Sequence, residues 1–275
     1  MKRQAALAVL TGAALALVAA SGAHGNAPVW YAARVDGATH LESGADTVLP
    51  AASVIKLLIA LALVEEAHAG RFNLTSRVSL AAQDQVGGSD RFGAASPGSY
   101  PAAALLDAML SVSDNTASNA LLRAVGMSRC NQVAAAHGLR STRIRRRFYD
   151  WAAQRRGLEN ETTAREAAQL LLLIAGEARQ RSGAVVARRA MSALLAQTDR
   201  ETIPAALPNR TGIANKTGEL PGVRNDVAIV GYGHSDAYVV AVLDRYASGN
   251  RTGAVAAIRD VVRMVDRRLR RGLSR

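Results

Sequence analysis

Aromatic side chains, cysteine and lysine are all scarce in this chain. Phe, Trp and Tyr make up 4% of the 275 residues, so a hydrophobic core must be built mainly from Ala, Leu and Val. The sole cysteine, Cys130, cannot form an intrachain disulfide, which leaves packing to supply the stability. Of the 34 basic residues only Lys2, Lys56 and Lys216 are lysines. Because lysine, unlike arginine, can lose its proton in a protein, the two internal lysines are candidates for proton-transfer chemistry.

The first 25 residues have the pattern of a secretory signal peptide. Lys2 and Arg3 precede an apolar run over residues 5–20, and small residues follow it. This run of about sixteen residues is short for a membrane-spanning helix, and no basic stop-transfer cluster comes after it. We therefore expect a secreted or periplasmic protein with no stable membrane span. A retained N-terminal anchor is the alternative.

The formal net charge is +12 at pH 7, and the densest basic blocks are residues 140–147 and 263–275. No aromatic residues interleave these blocks and no nucleic-acid motif is present, so we interpret them as solvated arginine faces and expect no nucleic-acid partner. Attraction to an anionic cell envelope would be a weak additional effect. The five histidines show no metal-ligand spacing, so we expect no metal and no cofactor.

Segments with strand character lie at both ends of the remaining chain, and helical segments lie between them. The predicted strands are 29–35, 212–217, 225–231 and 237–243, with a further short extended segment before residue 50. The predicted helices are 51–69, 102–110, 116–125, 131–137, one that starts at 161–164, 184–196 and 253–271; residues 84–101 and 141–160 are predicted loops. This order predicts an α/β fold in which a sheet lobe with flanking helices carries an inserted all-helical lobe. The predicted domain is 26–275, with the sheet lobe at about 28–57 and 203–272 and the helical lobe at about 58–202.

The predicted helix 51–69 begins with a serine and a lysine three residues apart. Pro50 suits the start of a helix, and Ser53 and Lys56 should project from the same side of its first turn. The positive end of the helix dipole and a neighbouring amine could convert the Ser53 hydroxyl into a nucleophile. By itself, a Ser-x-x-Lys pattern should occur by chance about once in a chain of this size.

Two further motifs follow in order: Ser113-Asp114-Asn115 between predicted helices and Lys216-Thr217-Gly218 at the end of a predicted strand. Together with Ser53-Val54-Ile55-Lys56, they form a trio that resembles the class A serine β-lactamases within the wider group of penicillin-recognising enzymes. The resemblance covers essentially all of the chain after the first 25 residues. It is closest over 110–119 and 216–228, and it implies the two-lobed fold shared by β-lactamases and DD-peptidases.

The resemblance also implies a catalytic role for each of these side chains. Ser53 would attack the β-lactam carbonyl, and Lys56, kept neutral by burial and by Lys216, would accept the serine proton. Ser113 would relay a proton to the leaving nitrogen, with Lys216 tuning it. The oxyanion hole would be formed by the backbone N–H groups of Ser53 and of Glu219.

The substrate-binding residues implied by the resemblance lie in the same motifs and just after them. Asn115 would hold the side-chain amide of the substrate. Lys216 and Thr217, which precede Gly218, would receive its carboxylate. Arg224 is a weaker candidate for that carboxylate, and a structural pair with Asp226 or another neighbour is an equally good interpretation.

The chain departs from the class A pattern in the loop that carries the deacylating base. Class A enzymes have a glutamate there that activates water, four residues before an asparagine. The sequences at 141–144 and 160–163 match the two ends of this loop, but the glutamate position falls on Phe148. Asp150 could substitute if the backbone shifts, although its side chain is shorter, and Glu159 is better explained as a helix-start acid. Loss of a positioned base should slow deacylation by about 10²–10⁴-fold.

Three functions are compatible with these residues. The first is an exported class A-like serine β-lactamase that hydrolyses β-lactams through an acyl-enzyme on Ser53, slowly or with the help of Asp150. The second is a penicillin-binding peptidase that acts on D-Ala-D-Ala cell-wall peptides. The third is a non-catalytic sensor that is acylated once. In each case the partner is a small-molecule β-lactam or a cell-wall peptide, and we expect a monomer.

Overall fold

The computed structural model describes residues 27–37, 39–180 and 184–271, so the predicted signal peptide lies outside the described residues. The strands are β1 (Val29–Arg34), β2 (His40–Ser43), β3 (Leu49–Pro50), β4 (Arg77–Leu80), β5 (Gly98–Pro101), β6 (Glu161–Thr162), β7 (Ala214–Leu220), β8 (Val223–Val230) and β9 (Tyr238–Arg245). The helices are α1 (Lys56–His68), α2 (Ala102–Ser111), α3 (Asn115–Val125), α4 (Met127–Ala136), α5 (Trp151–Arg155), α6 (Ala164–Arg179), α7 (Val185–Leu195), α8 (Ile203–Ala206) and α9 (Arg251–Arg271). Short 3-10 turns cover Ala52–Ile55 and Ala82–Asp84.

Strands from both ends of the chain form one five-stranded antiparallel sheet in the order β2-β1-β9-β8-β7. The N-terminal strand β1 pairs with the C-terminal strand β9, with Trp30 opposite Val242. Strand β7, which carries Lys216, lies at the edge, where it packs against the 3-10 turn before α1. The sheet therefore brings residue 218 next to residue 53.

The sheet is buried on both faces, as its central strand shows. Side chains of β9 alternate between two hydrophobic clusters because successive residues of a strand point to opposite faces. One cluster contains Val239, Ala241 and Leu243 together with α1, α2, α6 and α7. The other contains Tyr238, Val240 and Val242 together with α8 and α9. Helix α1 is buried over nine consecutive residues, Lys56–Val64, which places it in the centre of the molecule.

The α/β architecture predicted from the sequence is confirmed. One predicted detail is wrong: Pro50 belongs to strand β3, opposite Glu161 of β6, and the chain enters α1 through a 3-10 turn. The loops predicted at 84–101 and 141–160 contain strand β5 and helix α5, which are too short to produce a periodic pattern. Side chains from both predicted lobes share the first hydrophobic cluster, and the lobe boundaries stay a prediction. Within the described ranges, no helix is both long and apolar enough to cross a membrane.

Candidate active site

Ser53 lies in the 3-10 turn that leads into α1, and this turn is held from two sides. Asn225 of β8 donates from its side-chain amide to the Ala51 carbonyl at 3.3 Å. On the other side, the Ala51 N–H donates to the Asn160 carbonyl at 2.8 Å. Ala52, directly before Ser53, has φ of 47°, a left-handed conformation that is unfavourable for a residue with a side chain. The fold therefore maintains local backbone strain at the candidate nucleophile.

The hydroxyl of Ser113 lies between the two buried lysines. Lys56 Nζ is 3.1 Å from Ser113 Oγ, and Lys216 Nζ is 3.0 Å from the same oxygen. Lys56 also donates to the Ser113 carbonyl at 2.5 Å and to Asn115 Oδ1 at 2.8 Å. A neutral amine has two protons, so these two bonds leave its lone pair free to accept a proton. The three side chains can therefore pass a proton from one to the next.

Burial makes both lysines easier to deprotonate. The side chains of Lys56 and Lys216 are 0% exposed. Desolvation first, and then the Lys216 charge, hold the pKa of Lys56 well below its usual value, although Asp114 opposes the shift. Desolvation also lowers the pKa of Lys216 to about 8, against the attraction of Asp226 and Asp199. These shifts make Lys56 easier to deprotonate, and they leave Lys216 largely cationic at neutral pH.

Ser113 and Asn115 are positioned by the start of α3. Asp114 caps this helix by accepting from the Ala117 N–H at 2.8 Å, and its other oxygen accepts from the backbone of 91–92 at 2.9 Å. Ser113 itself has φ of 59°, so a second strained residue lies in the site. Asn115 Nδ2 donates to the carbonyl of Gly88 at 2.8 Å, which fixes the orientation of its amide.

Gly218 lets strand β7 approach the turn that carries Ser53. A Cβ atom at this position would lie 2.9 Å from the Ala51 carbonyl oxygen and 3.0 Å from the Ser53 backbone nitrogen. The first distance is shorter than real side chains show and the second is tighter than most, so a glycine is strongly favoured here. This contact brings the backbone of Gly218 close to the Ser53 N–H, and an oxyanion hole formed by the N–H groups of Ser53 and Glu219 stays a prediction.

Phe148 occupies the position beside Lys56. Its ring is 7% exposed and its centroid lies 4.7 Å from Lys56 Nζ. Two hydrogen bonds to the Asn119 side chain hold the backbone of Phe148. The Phe148 N–H donates to Asn119 Oδ1 at 3.0 Å, and the Phe148 carbonyl accepts from Asn119 Nδ2 at 3.2 Å. An aromatic ring therefore occupies the position from which a general base would contact Lys56.

The two acidic residues considered as replacements for that base have other partners. Asp150 caps α5 by accepting from the Ala153 N–H at 2.9 Å, and it does not line the cleft beside Ser53. Glu159 does line the cleft, but Arg146 binds both of its oxygens, at 2.9 and 3.1 Å. A role for Asp150 in deacylation stays a prediction.

Arg224 is buried in a cluster of ions. It is 1% exposed and donates to Glu219 at 2.7 Å and to Asp199 at 2.9 Å. The sequence left open whether Arg224 pairs with Asp226 or with another neighbour. In the structure its partners are Glu219 and Asp199. Asp226 instead accepts from the Thr202 hydroxyl at 2.6 Å, and burial raises its pKa to about 6.

A cleft of about 370 Å³ opens beside Ser53. The residues that line it are Ala52, Ser53, Asn115, Arg146, Phe148, Tyr149, Trp151, Glu159, Asn160, Glu219, Leu220, Pro221 and Tyr246. Apart from Phe148, the apolar and aromatic members of this wall were not predicted from the sequence. The only indication of this wall in the sequence is that several of its residues are aromatic, in a chain that has few aromatic residues. Among the described residues, no three His, Cys, Asp or Glu side chains are grouped so that they could hold a metal ion.

A serine in a strained turn, a buried lysine with a lowered pKa and a second hydroxyl between two amines are groups typical of a serine hydrolase. The chain belongs to the Beta-lactamase enzyme family, whose model matches residues 12–269. It is a serine β-lactamase-like hydrolase, and the resemblance expected from the three motifs is confirmed.

Solved structures share the fold over most of their length. PBP-A is 26% identical and matches with a TM-score of 0.80 over 92% of this chain and 93% of its own. Its L158E mutant, solved as an acyl-enzyme complex with penicillin G, is 26% identical with a TM-score of 0.77 over 89% and 90%. An ancestral class A β-lactamase is 24% identical with a TM-score of 0.76 over 87% and 93%. No curated protein matches the chain.

Proposed function

We propose that this protein is exported and that β-lactams acylate it at Ser53 to give a long-lived acyl-enzyme. The observation that carries the proposal is the position of the Ser113 hydroxyl, 3.1 Å from Lys56 Nζ and 3.0 Å from Lys216 Nζ. This chain of polar groups supplies what acylation requires: a base, a proton relay and a cation.

In the proposed acylation step, Ser53 Oγ attacks the lactam carbonyl as Lys56 accepts its proton. The negative charge on the carbonyl oxygen is stabilised by the backbone N–H groups of Ser53 and Glu219. The C–N bond of the ring then breaks, and Ser113 gives its proton to the leaving nitrogen. Lys56 returns the proton that it took from Ser53 to Ser113. The proton balance therefore closes within the site.

In the proposed deacylation step, water lacks a well-placed base. The Phe148 ring occupies the space beside Lys56 in place of a carboxylate, and Asn119 holds the Phe148 backbone. A missing base should slow this step by about 10²–10⁴-fold, while acylation is unaffected. The L158E mutant of PBP-A, solved as a penicillin acyl-enzyme, supports penicillin acylation on a chain with this fold.

The second candidate is a peptidase that acts on D-Ala-D-Ala cell-wall peptides. The same Phe148 observation favours it, because an acyl-enzyme protected from water can instead be attacked by a better nucleophile, such as a peptide amine. The similarity to PBP-A at a TM-score of 0.80 is consistent with this alternative.

The full chain incubated with benzylpenicillin and followed by intact mass spectrometry tests the first proposal. We expect a one-to-one adduct that forms within the first time points and persists, and no adduct on Ser53→Ala. Absence of both adduct and drug cleavage would refute the proposal, as would cleavage that survives Ser53→Ala. Release of D-Ala from a synthetic peptide identifies the second candidate. Detection of the tagged chain in cell fractions tests export.

A further inference from the structure

The basic block at residues 140–147 divides into two groups of arginines in the structure. Three of its five arginines have carboxylate partners at 2.8–3.0 Å, and these pairs are Arg145 with Glu161, Arg146 with Glu159 and Arg147 with Asp84. The other two, Arg140 and Arg143, are exposed, and neither side chain has a hydrogen bond or an ion pair within the described residues. The block is therefore not one uniform solvated face.

The two unpaired arginines line the same groove. This groove has a volume of about 780 Å³ and runs between α4 and the segment that leads to Phe148. Its other lining residues are uncharged, and they are Ser128, Asn131, Gln132, Ala135, Leu139 and Thr142. None of these residues lines the cleft beside Ser53. The groove is therefore a separate site, in which two guanidinium groups meet only neutral side chains.

Asn131 holds the two walls of the groove together. Its Nδ2 donates to the Ile144 carbonyl at 2.9 Å, and its Oδ1 accepts from the Ile144 N–H at 2.9 Å. Arg143 also exchanges two backbone hydrogen bonds with Glu161, at 3.0 and 3.1 Å. These contacts fix the backbone that carries the groove arginines, so a ligand would not have to order it on binding.

The carboxylates of the surrounding elements do not neutralise the groove. Glu166 accepts from the Ser141 N–H at 3.0 Å and from the Thr142 hydroxyl at 2.6 Å, and it can offset one positive charge. Glu161 is already paired with an arginine of the same block. Glu66 is bound by two arginines, one of them in the first turn of α4. The positive charge therefore stays in excess on this side of the molecule.

We infer that this groove binds a ligand with two or more phosphate groups, such as a polyphosphate or a stretch of a phosphodiester polymer. A guanidinium group binds phosphate oxygens in a bidentate geometry. Three residues of extended chain span at most about 10 Å, so Arg140 and Arg143 can contact neighbouring phosphates of one ligand. The Ser128 hydroxyl and the Gln132 amide add neutral donors. Among the described lining residues none is aromatic, so the groove offers no platform on which the bases of a nucleic acid could stack.

Isothermal titration calorimetry of the full chain with sodium tripolyphosphate tests the inference. We expect binding at one site that weakens as the salt concentration rises, and weaker binding of inorganic monophosphate. The double variant Arg140→Gln/Arg143→Gln should weaken tripolyphosphate binding by about tenfold, because exposed ion pairs contribute little individually. A parallel titration with poly(glycerol phosphate) distinguishes a phosphodiester polymer from a free polyphosphate as the source of the phosphate groups.

The matched control is Arg155→Gln/Arg156→Gln, which removes two exposed arginines at the end of α5 that do not line the groove. It lowers the net charge equally and should leave the affinity within about twofold. An equal loss in both double variants would assign the binding to net charge and overturn the inference. Unchanged affinity in Arg140→Gln/Arg143→Gln, or no binding of either phosphate probe to the unchanged protein, would also overturn it. None of these measurements depends on acylation at Ser53.

Discussion

Replacing Phe148 with glutamate would put a carboxylate beside Lys56 and supply a base for the deacylating water. The Phe148 ring centroid lies 4.7 Å from Lys56 Nζ, and Asn119 fixes the backbone on both sides of the residue. If that backbone is kept, the new carboxylate lies close to the acyl-enzyme ester. We expect deacylation to accelerate by about 10²–10⁴-fold.

The same carboxylate should also change the acylation step. Two unit charges 4.7 Å apart at an effective dielectric constant of 20 interact by roughly 3.5 kcal/mol. That attraction stabilises the charged amine and should raise the pKa of Lys56. Because the neutral amine is the proposed base in acylation, the acid limb of the acylation profile should move to higher pH. The substitution should therefore lower the acylation rate at neutral pH and raise the rate at which the acyl-enzyme turns over.

Phe148→Gln is the matched control, since it leaves the same space as Phe148→Glu without a charge. Both variants lose a buried ring, and phenylalanine truncations cost about 3–5 kcal/mol, so their unfolding free energies should be compared first. Stopped-flow mixing with a chromogenic cephalosporin gives the acylation rate, and the decay of the adduct mass gives the deacylation rate. An adduct lifetime equal in the folded, acylated Phe148→Glu and Phe148→Gln variants would refute the reasoning.

Three further predictions concern residues around the same site. Lys216 loses its proton as the pH rises through about 8, so the acylation rate should fall above pH 8. Lys216→Arg, which stays charged, should abolish this fall in a pH profile of the acylation rate. A fall that persists in the variant would contradict the assignment. Gly218→Ala should slow acylation by about 10²-fold because its Cβ would meet the Ser53 N–H, whereas Gly176→Ala, with open space around it, should change neither rate nor fold. Asp226 has a raised pKa of about 6, so its contribution to stability is present below the unfolded value near 4 and is lost as the pH rises through 6, by about 3 kcal/mol. Asp226→Asn should flatten that decrease in urea titrations, and an unchanged decrease would assign it to another group.

The sequence alone was enough to identify the candidate catalytic side chains and the fold class. Spacing within one turn limits which residues can act together, and it predicted that Ser53 and Lys56 project from the same side of the first turn of a helix. The scarcity of lysine drew attention to Lys56 and Lys216 before any contact was known. Counting along the loop from Arg143 selected Phe148 as the residue at the glutamate position.

Only the tertiary structure decided which distant groups meet. Glu219 and Glu201 gave no sequence signal as partners of Arg224, since these contacts join β7, β8 and the segment before α8. The same holds for the wall formed by Tyr149, Trp151 and Tyr246, and for the pairing of β4 with β5. Local spacing is fixed by backbone geometry, whereas contacts between distant segments depend on how whole helices and strands pack. That packing determines the charge that an incoming substrate would meet.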